Sequence, residues 1–304
     1  MAEPIVTGRP VPSFDMTYSW HDDRWRKLFD EQIKLIKGDV VRAKTADKLV
    51  IYLSCPISGR GGGHAGTNVD IALATQRRLL DRWGEGAWIL NPANYQMESR
   101  LGTGLMNTHA ERLGIDLPAL IAETGMPSGG DYMRMWTKVL VENDTEVGRA
   151  HLSAELANSG QFFDAYYFLG PQDMYAFFRK GDESLTAAIE SYFARRVESD
   201  PEFRAAYSGG LVDWTRPEAD LDDAGRQARD NWRLMRGAFL RFYMFRAGIN
   251  YSLGSHDEWN IWQALNAQRL TLKYGISEQI AGFFEGLQIA PGATELAISK
   301  GYAG

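Results

Sequence analysis

Lys48-Leu49-Val50-Ile51-Tyr52-Leu53-Ser54-Cys55, followed by Pro56-Ile57-Ser58-Gly59-Arg60-Gly61-Gly62-Gly63-His64-Ala65-Gly66-Thr67-Asn68, is the stretch that decides the fold. The first eight residues form a compact apolar run, rich in β-branched and aromatic side chains, that reads as a buried strand. A glycine-rich loop follows it. Val69 to Trp83 then places Ile71, Leu73, Leu79, Leu80 and Trp83 at helical spacing, closed by Gly84. Ala87 to Leu90 is a second short apolar strand running into Asn91-Pro92. A strand, loop, helix and strand in this order open a parallel α/β sheet.

Upstream, Pro4, Pro10 and Pro12 break any helix in an N-terminal arm, and His21 to Lys37 is amphipathic with Gly38 as a stop. Downstream, a helix is expected over Ala110–Glu123. Asp131 opens another behind Ser128-Gly129-Gly130, bending near Asp144–Gly148. Phe162–Leu169 is the third strand. Ser184–Tyr207 and Ala224–Phe245 read as helices, and a further helix starts near Asp257 and runs to Gln268. Leu270–Tyr274 reads as a fourth strand and Ser277–Leu287 as a closing helix. The expected organisation is an N-terminal arm and helix (1–47), the first part of an α/β core (48–171), a helical insertion (172–246) and the second part of the core (247–304).

Composition narrows the function. Lys and Arg total 33 against 39 Asp and Glu, a formal charge of −6, which argues against a protein that coats polymeric nucleic acid. A chain of 304 residues buries enough surface to fold without staples, and its one cysteine, Cys55, rules out an intrachain disulfide. No apolar run reaches membrane-span length, and Met1–Ser13 has no signal-peptide pattern, so a cytoplasmic protein without membrane partners is expected. The histidines at 21, 64, 109, 151 and 256 form no zinc-binding spacing, so no metal or other cofactor is expected.

Three segments can carry chemistry. The glycine-rich loop ends a parallel strand, where open α/β sheets bind ligands. The backbone N–H groups of Gly61 and Gly62, with Arg60 as a guanidinium fork, suit a phosphate. The loop lacks the Gly-Lys-Ser/Thr of a Walker motif. Gly61, Gly63 and Gly66 match a dinucleotide spacing without the acidic residue that should end the second strand. A plain surface loop is the alternative. The second segment is Ser252-Leu253-Gly254-Ser255-His256-Asp257-Glu258. There Glu258 reads either as an early-turn charge behind a Ser255 or Asp257 cap or as a carboxylate kept ionised by the helix dipole. His256 beside it could support such a group. The third is Asp131, whose plain reading is an N-cap. Cys55 as a nucleophile would need a histidine base.

YLSCPISGR at 52–60 resembles the first strand and loop of the nucleoside 2-deoxyribosyltransferase family. Ser252-Leu253-Gly254, Glu258 and Ala264-Leu265 are similar to the second motif of the same superfamily, which includes 2′-deoxynucleoside 5′-phosphate N-hydrolases. The resemblance covers about half of the chain and implies a flavodoxin-like fold. It implies Glu258 as nucleophile at the sugar C1′, and Tyr52 as its support, although alternation along the strand leaves the direction of Tyr52 open. It implies Ser252, Gly254 and Ser255 at the 5′ hydroxyl or phosphate, with Arg60 in the loop position where the hydrolases carry arginine. An aspartate assists the departing base in the family. Asp131 has the matching topology, and Asp230 is nearer Glu258 in sequence but is flanked by Arg229 and Arg233. The implied ligand is a small nucleoside or nucleotide. Family sites are often shared between subunits, which allows a homo-oligomer. Two other readings stay open: a nucleotide-binding module without turnover, and a cysteine-dependent hydrolase using Cys55.

Overall fold

The computed structural model describes residues 20–59, 63–141, 160, 162–207, 212–249, 252–271 (backbone alone over 268–271), 279–292 and 301–302. It is an α/β structure built on a five-stranded sheet of order β2-β1-β3-β4-β5. The strands are β1 (Leu49–Ser54), β2 (Ala87–Leu90), β3 (Ala165–Phe168), β4 (Ala281–Phe284) and β5 (Leu287–Ile289). β1 pairs in parallel with β2 and β3, β3 in parallel with β4, and β5 returns antiparallel along β4. This is the flavodoxin-like order, in which the chain leaves β1 in one direction to β2 and in the other to β3. The carboxyl end of β1 is therefore the switch point where such sheets open a crevice.

Alternation along the strands assigns the two faces. Val50, Tyr52, Tyr166 and Phe168 pack with α1 (Asp23–Thr45), α3 (Arg100–Leu113), α4 (Leu117–Thr124), α5 (Gly129–Val141) and α10 (Leu253–Thr271). Ile51, Leu53 and Tyr167 pack with α2 (Ala65–Trp83), α6 (Pro171–Phe178), α7 (Leu185–Ser199), α8 (Pro201–Tyr207) and α9 (Asp223–Phe245). The helical stretch between β3 and α10 thus shares a core with the sheet, through Phe193, Phe203, Phe239 and Tyr243.

Several expected elements differ. The first helix runs past Gly38 to Thr45, because Val40 and Ala43 continue its buried face. The single helix expected over 110–123 is two: α3 ends on Gly114 in the left-handed region (φ 65°), and Asp116 caps α4 through Ala119 N. The helix expected over 184–207 breaks at Asp200-Pro201, where Asp200 Oδ1 accepts from Glu202 N and Phe203 N. The fourth strand lies at Ala281–Phe284, not at 270–274. α10 continues through Thr271, and residues 272–274 lie outside the described residues, as does the bend expected at 144–148. Residues 281–287 form a hairpin instead of a closing helix. Ile280, Phe283, Phe284 and Leu287 do recur at helical spacing, but Glu285 and Gly286 take positive φ (53° and 84°), the requirement of a two-residue hairpin turn. Among the described residues no helix is long and apolar enough to cross a membrane.

Candidate active site

The candidate site is a cavity of about 170 Å³ at the carboxyl end of β1, lined among others by Cys55, Ser58, Glu98, Ser128, Tyr132, Trp136, Ser252, Gly254, Ser255, Glu258 and Tyr302. Glu258 comes from α10 and is buried. The Tyr52 hydroxyl donates to Glu258 Oε1 at 2.6 Å, and the Ser54 hydroxyl to Oε2 at 2.5 Å. Tyr52 and Ser54 are two residues apart on β1, so both side chains rise from the face that α10 covers. One strand therefore supplies one hydroxyl to each carboxyl oxygen.

α10 starts earlier than expected. Leu253 is its first residue, and Ser252 caps it by accepting from Ser255 N (3.3 Å). Glu258 then sits in the second turn, beyond the reach of the helix dipole. The expectation that the dipole keeps Glu258 ionised is overturned. Burial pushes its carboxyl up to about 8, only partly offset by the Ser54 and Tyr52 hydroxyls, and the neighbouring Asp257 adds to the rise. Tyr52, in turn, is held protonated by burial and then by the Glu258 charge, which keeps it a donor.

Neither aspartate lines the cavity. Asp131 is fully buried, but its Oδ2 accepts from Ser128 N (2.8 Å) and Ser128 Oγ (2.7 Å) and lies 2.5 Å from His21 Nδ1. Ser128 Oγ accepts in return from Asp131 N (3.2 Å). This is a capping box with Ser128 as cap and Asp131 three residues in, tied to the N-terminal segment by His21. Asp131 Oδ1 accepts from His21 N (3.3 Å). Asp230 lies on α9, against the opposite face of the sheet, exposed and paired with Arg233. The acid that the family resemblance implies is carried by neither residue in this arrangement.

Ser252, Gly254 and Ser255 reach the cavity wall; His256 is buried on α10 but does not line it. Arg60, Gly61 and Gly62 lie outside the described residues. Of the loop around them, Ser58 faces the cavity. His64 instead caps α2 by accepting from Thr67 N and packs on Phe203 and Tyr207. Cys55 lines the cavity, but burial and then the Glu258 charge push its thiol up, away from the thiolate a nucleophile needs. Among the described residues no histidine lines the cavity. Among the described residues no cluster of three or more His, Cys, Asp or Glu could hold a metal ion.

Sequence reasoning missed Ser54, Trp136 and Glu98. Ser54 was legible as two positions from Tyr52 on the same strand face. The other two carry no local pattern. Three buried polar atoms in the wall have no hydrogen-bond partner: Trp136 Nε1, Ser255 Oγ and Glu98 Oε2. Orphaned buried groups are uncommon and costly, about 1–3 kcal/mol each, and these three belong to residues that line one cavity. No protein-family model, curated protein or solved structure matches the chain.

Proposed function

We propose that this chain cleaves the N-glycosidic bond of a nucleoside or nucleoside 5′-monophosphate, with Glu258 attacking C1′. The observation that carries the reading is the buried Glu258 carboxyl, with one hydroxyl on each oxygen, at the floor of a cavity with unsatisfied polar walls. Breaking this bond develops positive charge on the sugar. A carboxylate in a water-poor site, aimed by Tyr52 and Ser54, stabilises that charge and can close to a glycosyl ester, which water or a second base then opens. Ser252 and Ser255 come from the same helix as Glu258 and suit sugar hydroxyls. A 5′-phosphate would draw on Arg60. The test is to incubate the protein with paired nucleosides and 5′-monophosphates and to separate released base chromatographically. Release from at least one pair is expected; absence of release from every compound would refute the reading.

The carboxyl must be ionised to attack. For a substrate whose leaving group departs without a proton, such as a 4-nitrophenyl glycoside, kcat/KM of the free protein is therefore expected to rise with pH through a limb near 8. Ser54→Ala or Tyr52→Phe removes a donor that favours the ionised form, so the limb should move to higher pH, further for Ser54, the stronger of the two influences. A limb that stays in place in both variants would assign the titration to another group.

A further inference from the structure

With Asp131 and Asp230 both elsewhere, the departing base has no acid from the residues first expected. Glu98 is a second carboxyl in the wall of the same cavity. It reaches the cavity from the segment after β2, whereas Glu258 reaches it from α10. The segment around Glu98 is pinned. Ser99 Oγ donates to Gln96 O (3.1 Å), Thr103 Oγ1 to Met97 O (2.8 Å), and Met97 N to the Tyr132 hydroxyl (3.1 Å). Ser99 also caps α3 by accepting from Gly102 N (3.0 Å). The Tyr132 hydroxyl accepts from Met97 N and lies near enough to Glu98 to lower its carboxyl, while Glu98 Oε2 has no partner. A buried carboxyl in a cavity wall, with one oxygen that finds no partner in the protein, is a group a ligand can satisfy.

We propose that Glu98 is the proton donor to the departing base, acting from a different wall of the cavity than Glu258. The proposal rests on the N-glycosidase reading. Nucleophile and leaving group occupy opposite faces of C1′, and Glu98 comes from a different element than Glu258. In the first step the C1′–N bond breaks and its electron pair goes to the base nitrogen. The Glu98 proton passes to the base, and Glu258 forms the C1′–O bond. In the second step water attacks C1′, its proton returns to Glu98, and Glu258 leaves as carboxylate. Burial raises the Glu98 carboxyl above its ordinary value, against the smaller opposing effects of its own backbone N–H and of Tyr132. Glu98 thereby differs from Asp131, whose carboxylate is fully engaged by His21 and Ser128.

The test compares two substrates of one sugar: the nucleoside turned over fastest, and the 4-nitrophenyl glycoside, whose leaving group departs without a proton. Glu98→Gln is expected to slow base release from the nucleoside by about 10²–10⁴ and nitrophenolate release by less than tenfold. Glu258→Gln should slow both alike. Equal slowing of both substrates by Glu98→Gln, or no slowing of either, overturns the proposal and leaves the role of Glu258 standing. No base release by the wild-type protein overturns both. Should Glu98→Gln fail to fold by circular dichroism, Glu98→Asp keeps the acid but withdraws it by one methylene, and the same preferential loss on the nucleoside is required of it.

Discussion

Glu258→Gln is expected to lower kcat for base release by at least about 10³ and, at the same time, to make the protein more stable above neutral pH. The first effect follows from the proposed role of Glu258 at C1′, since an amide is a poor nucleophile. The second follows from burial. In the unfolded chain Glu258 loses its proton near the ordinary carboxyl value of 4.5, whereas in the folded chain it keeps it until about 8. Between these values the folded state binds the extra proton, so wild-type stability falls as pH rises through the window and levels off above it. Each unit of such a difference corresponds to about 1.4 kcal/mol, which puts the accumulated loss on the order of a few kcal/mol. Glutamine does not ionise and escapes it. Thermal melts of both proteins from pH 4 to 9 should diverge across that window, with the variant higher at the alkaline end. A variant that melts below wild type at every pH, or that keeps near wild-type turnover, would show Glu258 to be a structural residue.

The second large effect is expected at Gly102, remote in sequence from Glu258. It lies in the first turn of α3, where the chain of Gln96 folds back over the helix. A Cβ at 102 would sit inside the van der Waals reach of the Gln96 backbone oxygen, carbon and nitrogen, none of which can rotate away. Gly102→Ala should therefore destabilise the protein by about 1–3 kcal/mol, against a helix-propensity gain of about 1 kcal/mol that would otherwise favour alanine. Gln96 and Glu98 both line the cavity, so the displaced segment should also reduce base release. Gly104, two residues on in the same helix, supplies the control. Its Cβ would meet nothing within 4 Å, and Gly104→Ala should be neutral or stabilising. Equal melting temperatures for the two variants would mean that the 96–99 segment yields freely.

Glu98 and Asp131 show where local pattern stops being informative about this site. Asp131 stood out because Ser-Gly-Gly-Asp is a helix-start pattern, and that is the use the structure makes of it: the Ser128–Asp131 box is a local device that four consecutive residues complete among themselves. Glu98 stands in Tyr95-Gln96-Met97-Glu98, which has neither helical nor strand period. Its place in the cavity wall is set by contacts such as that of Met97 N with the hydroxyl of Tyr132, far along the chain. Glu258 belongs to both classes. Its motif was readable, but its environment was not, because the two hydroxyls that hold it come from β1, about two hundred residues earlier.

By itself the sequence determined the parallel α/β core, since the apolar runs at 49–54, 87–90 and 165–168 are too short for helices and are joined by helical periods. It also determined the crevice at the end of β1, since a glycine-rich loop after the first strand can only emerge at the carboxyl edge. The tertiary structure decided what local spacing left undetermined. The apolar period of 280–287 fits a helix, and pairing with β3 makes it a hairpin, because hydrogen bonds to a neighbouring strand outweigh a period of only two turns. It decided the protonation of Glu258, because desolvation depends on what surrounds a carboxyl and not on its position in a helix. It also decided which carboxyls share the cavity, because burial and hydrogen-bond partners are fixed by elements that meet only when the sheet assembles.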